Sequence, residues 1–299
     1  MAANQTSPTS PQFGQSLNVN LGRVLIYVLL ILCALYYLAP LYVMLTTSVK
    51  SLDEIRSGNL LSIPLNPSTY AWSKAWGTAC TGVTCEGLAP YFWNSVKMAV
   101  PAVIISSLIG SVNGYVLAHW KFRGSHIVFT ALMVGCFIPF QVVILPMARV
   151  LGMLNLANTT TGLILVHIIY GMAFTTLFFR NYYVSVPEEL VNAARIDGAG
   201  FFMIYRRIIF PLSLPIFMVC FIWQFTQIWN DFLFGVVFGG SDAQPVTVAL
   251  NNLVNTSTGV TEYNVNMASA IIAALPTLGL YLVAGKYFVR GLTAGAVKG

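Results

Sequence analysis

The sequence predicts an all-α, polytopic membrane protein with six transmembrane helices and a short cytoplasmic helix between the fourth and the fifth. Three observations predict it. Mean hydropathy is +0.75, and only 8% of the 299 residues are charged, whereas a soluble domain carries about 25%. So few charges cannot wet the outside of a water-soluble core. Apolar runs then recur six times, at lengths close to the ~20 helical residues that cross a hydrocarbon layer of ~30 Å. Finally, the stretch SVPEELVNAARIDG at 185–198 interrupts them with a compact charged unit.

Residues 1–20, MAANQTSPTSPQFGQSLNVN, are uncharged and rich in Ser, Thr, Asn, Gln and Pro. They bury too little apolar surface to offset the entropy of ordering, and are expected to form a disordered cytoplasmic tail. Residues 21–299 then form one transmembrane domain. Its first span, 24–45, is longer than a signal-peptide core and lacks a small-x-small cleavage pattern, so it stays as an anchor. The other spans are expected at 96–118, 127–148, 162–179, 212–238 and 267–289. Pro139 and Pro146 are expected to kink the third. In the loop after the first span, Trp72, Trp76, Tyr91 and Trp93 suit an interfacial aromatic belt, with a ligand cage as the alternative. The segment between the fourth and fifth spans is 181–211.

Six spans put both termini on one side of the bilayer. If that side is the cytoplasm, the inner segments carry Arg23, Lys121, Arg123, Arg180, Arg195, Arg206, Arg207, Lys286, Arg290 and Lys298, ten of the 15 basic residues. The longer outer loops carry Lys50, Arg56, Lys74, Lys97 and Arg149. The positive-inside bias therefore predicts cytoplasmic N and C termini and a cytoplasmic 185–198 unit. The same arrangement puts Cys80 and Cys85, in CTGVTC, outside. There a local disulfide persists if the compartment is oxidising; two free thiols are the alternative. Cys33, Cys136 and Cys220 lie inside apolar runs and read as small apolar side chains.

Several function classes are excluded. The formal charge of +6 is scattered, with no basic cluster longer than Arg206-Arg207, so nucleic acid is not an expected partner. Neither Cys-x-x-Cys nor His-x-x-x-His is present, and no metal site is expected. Gly-x-Gly-x-x-Gly, His-Glu-x-x-His and Gly-x-Ser-x-Gly are also missing, and GLYLVAGKY from Gly279 has the wrong spacing for a phosphate loop. His119, His126 and His167 read as structural or interfacial. The chain is thus expected to be a transport subunit and not an enzyme, with no cofactor of its own. Ion-coupled carriers need titratable groups inside the membrane. The candidates are Lys97 and Lys286, both near span ends, and Asp231. That is thin machinery, so the energy for uphill transport would enter from another polypeptide.

The 185–198 unit suits such an entry point. Ser185 and Glu188 have the spacing of a capping box, Pro187 fits a first helical turn, and Glu188 and Glu189 face the positive end of the helix dipole. Gly198 supplies a left-handed stop. Leu190, Ala193, Ala194 and Asp197 recur at i, i+3, i+4 and i+7, a face on which two methyl groups let another surface come close. The alternative is a polar loop whose helical turn packs on its own bundle.

The segment EELVNAARIDGAGFFMIYRRIIFPLSLP resembles the EAA loop of permease subunits in ATP-binding-cassette importers, whose pattern is Glu-Ala-Ala, three residues, Gly, nine residues, Ile-x-Leu-Pro. Here Asn192-Ala193-Ala194 is followed by three residues, Gly198, nine residues and Ile208-Ile209-Phe210-Pro211. Asn192 replaces the family's glutamate and Phe210 its leucine, while the spacing is kept. WNSV from Trp93, NGYVLAHWKFRG from Asn113, IPFQVVILPM from Ile138, WNDF from Trp229 and GLTAGAVKG from Gly291 resemble the carbohydrate branch, of the type of the second maltose permease subunit. The outer loop with CTGVTC is most similar to the glucose/mannose type.

The resemblance implies a permease domain over 21–299 in a bacterial inner membrane, paired with a second permease as a heterodimer. It also implies two ATPase subunits, which bind the ATP and magnesium, and an extracytoplasmic sugar-binding protein. Glu188, Glu189, Ala193, Ala194, Arg195, Asp197 and Gly198 would then couple to the ATPase, and the C-terminal tail would touch it too. A sugar path calls for amides, hydroxyls and aromatics together in the spans. Asn113 with Tyr115, Gln141 with Phe140, and Gln224, Gln227, Trp229, Asn230 and Asp231 are the candidates, Gln224, Gln227 and Asp231 sharing one helical face. Interhelical hydrogen bonding is the alternative for each. A stand-alone secondary carrier or channel for a small polar solute is the competing class.

Overall fold

The computed structural model describes residues 21–120, 122–255 and 260–296, with side chains of the last helix described up to 285. The expected tail over 1–20 and the final residues 297–299 lie outside the described residues. The chain is helical throughout its membrane part: α1 (Leu21–Ser48), α2 (Leu52–Ser57), α3 (Tyr70–Gly77), α4 (Ala89–His119), α5 (Ser125–Phe137), α6 (Phe140–Met153) and α7 (Thr160–Val184). The short polar helix α8 (Glu188–Ile196) follows. Then come α9 (Phe201–Ile204), a π turn (Tyr205–Ile209), α10 (Phe210–Leu212), α11 (Leu214–Trp229), α12 (Leu233–Phe238), α13 (Val246–Asn255) and α14 (Tyr263–Ala296). Among the described residues, four helices are long and apolar enough to cross a membrane, and the number rises to six if each of two bent pairs is one span.

Those bent pairs correct two expected spans. The third is not one kinked helix over 127–148: α5 and α6 meet at 104°. The break falls at Ile138-Pro139, where the residue before proline is driven to extended backbone (ψ 121°) and proline offers no N–H to continue the ladder. Pro146, expected to add a kink, is carried inside α6. The fifth is not a single helix over 212–238 either. The segment Phe201–Leu212 turns by 74° into α11 at Ser213, flanked by Pro211 and Pro215, and α11 stops at Trp229, with Asn230 as its C-cap.

The bundle is organised on α4 and α7. Small and hydroxylated residues face each other across this pair, as membrane helices require when packing rather than the hydrophobic effect holds them. Ser106, Ser107, Ser111, Thr175 and Thr176 are all buried, and the Thr175 hydroxyl donates to the Ser106 carbonyl at 3.0 Å. A methyl group added at Gly114 would sit 2.7 Å from the Arg180 backbone nitrogen and from Phe179 Cβ. α1, by contrast, exposes nearly all its side chains and buries only Thr47 and Ser48 at its end.

Short elements collect at the end of the bundle where α4 begins. Cys80 and Cys85 are bonded there, in a turn held by the Thr81 hydroxyl donating to Tyr91 Oη at 3.0 Å. Tyr91 is therefore buried as an anchor, whereas Trp76 and Trp93 are exposed. Lys74 of α3 pairs with Glu262 at 2.5 Å, and that hydrogen bond holds the Lys74 pKa above its ordinary value. Asn264 donates to the Lys50 carbonyl at 3.0 Å, which ties α14 to the turn after α1, and Ser95 accepts from the Val246 N–H at 2.8 Å, which ties α13 to α4.

The α4–α7 seam makes a direct prediction. Gly114→Ala is expected to lower the thermal midpoint in detergent by the equivalent of roughly 1–3 kcal/mol of overpacking. Gly135→Ala on α5, where an added methyl meets nothing within 4 Å, should leave it unchanged or raise it. Equal midpoints for the two variants would show that the seam is not tight.

Candidate functional site

At the far end of the bundle, α8 is held in a defined pose by three local features. Its N-cap is Pro187, and the expected capping box does not form: the Ser185 hydroxyl instead donates to the Tyr182 carbonyl at 2.7 Å, closing the end of α7. Two residues too early for α8, Ser185 serves the helix it follows. At the other end Gly198 takes φ +82°, so that its N–H reaches the Arg195 carbonyl (3.0 Å) and the Ala199 N–H reaches that of Ala194 (2.9 Å). These are the paired bonds of a Schellman stop. Between them Val191 is buried in a cluster with Tyr115, Phe179, Ile204 and Phe217, pinning the middle of the helix to the bundle.

The outward face of α8 differs in part from the expected one. Leu190, Ala193 and Asp197 are exposed as expected, with Glu188 and Glu189, but Ala194 turns toward the bundle beside Val191. Ile196, which the i, i+3, i+4 pattern left out, is 86% exposed and stands on the outward face. Arg195 turns back to the end of α4: it donates to the His119 carbonyl at 3.0 Å and stacks over Trp120.

A cleft of about 570 Å³ opens on α7, α11 and the break after it. Four of the expected path residues, Gln224, Gln227, Asn230 and Asp231, line it together with Trp223, Phe174 and Tyr170. Three do not. Asn113 lies in the α4–α7 seam with its amide toward Thr176 Oγ1 at 3.4 Å, Gln141 is exposed on α6, and Trp229 is buried with Nε1 donating to the Ala273 carbonyl at 2.8 Å. Each is absorbed by helix packing or turned outward, which a single helix face cannot reveal.

Polar groups in the cleft are sparsely partnered. Gln224, 2% exposed, points its amide nitrogen at the His167 carbonyl (3.4 Å), crosses α7 where Gly171 leaves room for it, and has no partner for Oε1 among the described residues. His167 Nε2 stands 3.7 Å from Asp231 Oδ2, outside hydrogen-bond reach. Asp231 lies beyond the end of α11 rather than on its face. Its two oxygens accept the Phe234 and Gly235 N–H groups at 3.3 and 3.1 Å, satisfying the first turn of α12. His167, Tyr170 and Trp223 had no signal in the sequence beyond lying in an apolar run.

Comparison with known proteins places this geometry in context. Residues 98–287 match the family described as binding-protein-dependent transport system inner membrane component. A probable ABC transporter permease protein of Pyrococcus horikoshii is 39% identical over 278 residues, 93% of this chain and 98% of that one. A xylose/arabinose import permease protein of Haloferax volcanii is 34% identical over 93% of this chain and 94% of its own length. An arabinooligosaccharides transport system permease protein of Bacillus subtilis is 29% identical over 97% and 99%. In fold, the chain is similar to the crystal structure of a bacterial ABC transporter involved in the import of the acidic polysaccharide alginate. The TM-score is 0.78 at 20% identity, over 93% of this chain and 100% of that one.

The capping role of Asp231 is testable apart from transport. Asp231→Ala should destabilise the purified protein by about 1 kcal/mol, while Asp231→Asn, which keeps one accepting oxygen, should cost less. Thermal unfolding giving the same loss for both variants would remove the cap.

Proposed function

The chain belongs to the family of binding-protein-dependent transport system inner membrane components, and from that premise we propose that it is the permease subunit of an ATP-driven sugar importer, moved through α8 by separate ATPase subunits. The observation that carries the reading is the pose of α8. A helix pinned from below by Val191 and stopped by Gly198 presents Leu190, Ala193 and Ile196 to the outside, which together form an exposed apolar face. Glu188, Glu189 and Asp197 border it. Such a face is what a cleft in a partner protein would grip.

The remaining partners follow from the same premise. A second permease subunit would complete the path as a heterodimer, two ATPase subunits would hold ATP and magnesium, and an extracytoplasmic binding protein would deliver the solute. The excess of Lys and Arg on the segments flanking α8 supports cytoplasmic N and C termini in a multi-pass protein of the cytoplasmic membrane. Relatives from both bacteria and archaea support that membrane without restricting it to bacteria. Their substrates include xylose, arabinose and arabino-oligosaccharides, which supports sugars as a class and gives glucose no preference. We assign the sugar path in this subunit to the cleft, with Gln224 and Gln227 as hydrogen-bonding groups and Trp223 as a flat apolar wall. The stand-alone carrier is not favoured, because family members are components of multi-subunit systems.

Two expected outcomes check these assignments. In the reconstituted transporter, Gly198→Leu strains a backbone that only glycine adopts freely. Insertion and ATP hydrolysis should persist while sugar moved per ATP falls about tenfold; uptake at the normal rate would remove the docking role. Gln227→Ala should raise the sugar concentration needed for half-maximal uptake, with hydrolysis intact. Unchanged affinity and rate would take Gln227 out of the path.

A further inference from the structure

We infer that Arg195 is a positioning residue that fastens α8 to the end of α4, giving a push on α8 a second route into the bundle. The inference rests on the reading of α8 as the element that meets the ATPase. It separates Arg195 from the ATPase-coupling residues with which the family resemblance grouped it.

The geometry is a clasp. Arg195 Nη2 donates to the His119 carbonyl at 3.0 Å, Nη1 donates to Asn192 Oδ1 at 3.2 Å, and the guanidinium carbon lies 4.9 Å from the centre of the Trp120 ring. His119 is the last residue of α4 and Trp120 its C-cap. A carbonyl in that last turn has no donor within its own helix and sits at the negative end of the dipole, so a cation is its fitting partner. Only a planar fork can donate along two edges while its face lies on an indole; a lysine ammonium at the same place could do one of these but not all three. Asn192, one turn away on α8, holds one edge of the fork in the needed orientation.

Trp120 makes the clasp part of a larger joint. Its ring also meets Phe201 of α9 edge-on at 5.1 Å, and Phe201 lies 4.9 Å from Tyr115 of α4. A cavity of about 380 Å³ lies between α8 and this end of α4, bounded by His119, Trp120, Glu188, Val191, Asn192 and Arg195. Arg195 therefore bridges a gap that apolar packing does not fill.

The chain itself links α8 only to α7 and α9, through turns at 185–187 and 197–200. α4 is reached by side chains alone. At 31 residues, α4 is a rod of about 46 Å. Near its opposite end Phe92 packs edge-on against Trp229 at 5.2 Å, next to Asn230 and Asp231 of the cleft. The clasp thus joins the docking helix to a rod that ends beside the cleft.

The test uses the complete transporter in proteoliposomes, with radiolabelled glucose, xylose and maltose offered in turn and the one accumulated by the wild type taken as probe. Sugar moved per ATP hydrolysed is expected to fall about fivefold in Arg195→Gln and in Trp120→Leu, with the ATPase still co-purifying. The double variant should be no worse than either single one, and Arg195→Lys should recover only part of the loss. Should Trp120→Leu fail to assemble, Arg195→Gln against Arg195→Lys and against Trp120→Phe, which keeps an aromatic face, carries the comparison. Loss of the ATPase in Arg195→Gln would mean that Arg195 faces the partner, and additive losses or an unchanged ratio would likewise overturn the clasp. If Gly198→Leu kept the wild-type ratio, the docking reading itself would fall, whatever Arg195 does.

Discussion

The backbones of α4 and α7 approach so closely that a methyl group at Gly110 or Gly114 would strike the opposite helix, Thr175 in one case and Phe179 in the other. In lipid, apolar side chains gain nothing by leaving one hydrocarbon for another, so such an approach must be made favourable by dispersion and by hydroxyl groups that find carbonyls across the seam. The sequence supplies both, with glycine, serine and threonine on facing turns. Everything else is hung on that pair. α7 presents Gly171 to α11, where the Gln224 side chain crosses it, and α7 ends at the turn that launches α8.

The elbow at Ser213 shows how the seam fixes the second half of the chain. Ser213 Oγ donates to the Ile209 carbonyl, so it can only accept from Tyr183 Oη, 2.7 Å away. A phenol has one proton to give. Ser111 must therefore donate to Tyr183 at 2.7 Å, and Tyr205 to Ser111 at 2.9 Å. The result is a one-way chain of hydroxyls from the π turn through α4 and α7 back to the bend. Each member depends on the next, and leaving any of them unpaired in a buried site would cost a few kcal/mol. A 74° turn in a membrane segment exposes backbone groups that lipid cannot satisfy, and this network is held against the place where it occurs.

What the sequence made legible follows the same division between local and tertiary causes. Spans are visible because hydropathy is a property of composition, and all six apolar runs correspond to a long helix or a bent pair. The Gly198 stop is visible because a left-handed residue has a local signature. Pro139 marked the third span for a kink, but neither the full break there nor the bend at Ser213 was legible, since a proline in a membrane helix can be carried, as Pro101 and Pro276 are inside α4 and α14, or can end it. Neighbours decide which. Ser185 illustrates the limit of spacing: three residues before a glutamate it could cap α8, yet the same hydroxyl can close α7, and the chain uses it there. Asn113 and Trp229 have path-like chemistry but spend their donors on Thr176 and Ala273 of neighbouring helices, which one-dimensional periodicity does not reveal.

Asp231 ties the structure back to the source of energy. It is the single carboxylate within the apolar runs, and a self-powered carrier would need it to exchange protons or ions during each cycle. Both of its oxygens instead accept N–H groups at the start of α12, and its own carbonyl takes the Thr247 hydroxyl at 2.5 Å. Protonating it would turn one acceptor into a donor opposite a donor, weakening the turn that forms the wall of the cleft. The single carboxylate of the apolar runs is thus engaged in holding the shape of the cleft. On the function proposed above, movement of the cleft is driven through α8, which Val191 seats on the bundle, Arg195 fastens to α4, and turns join to α7 and α9.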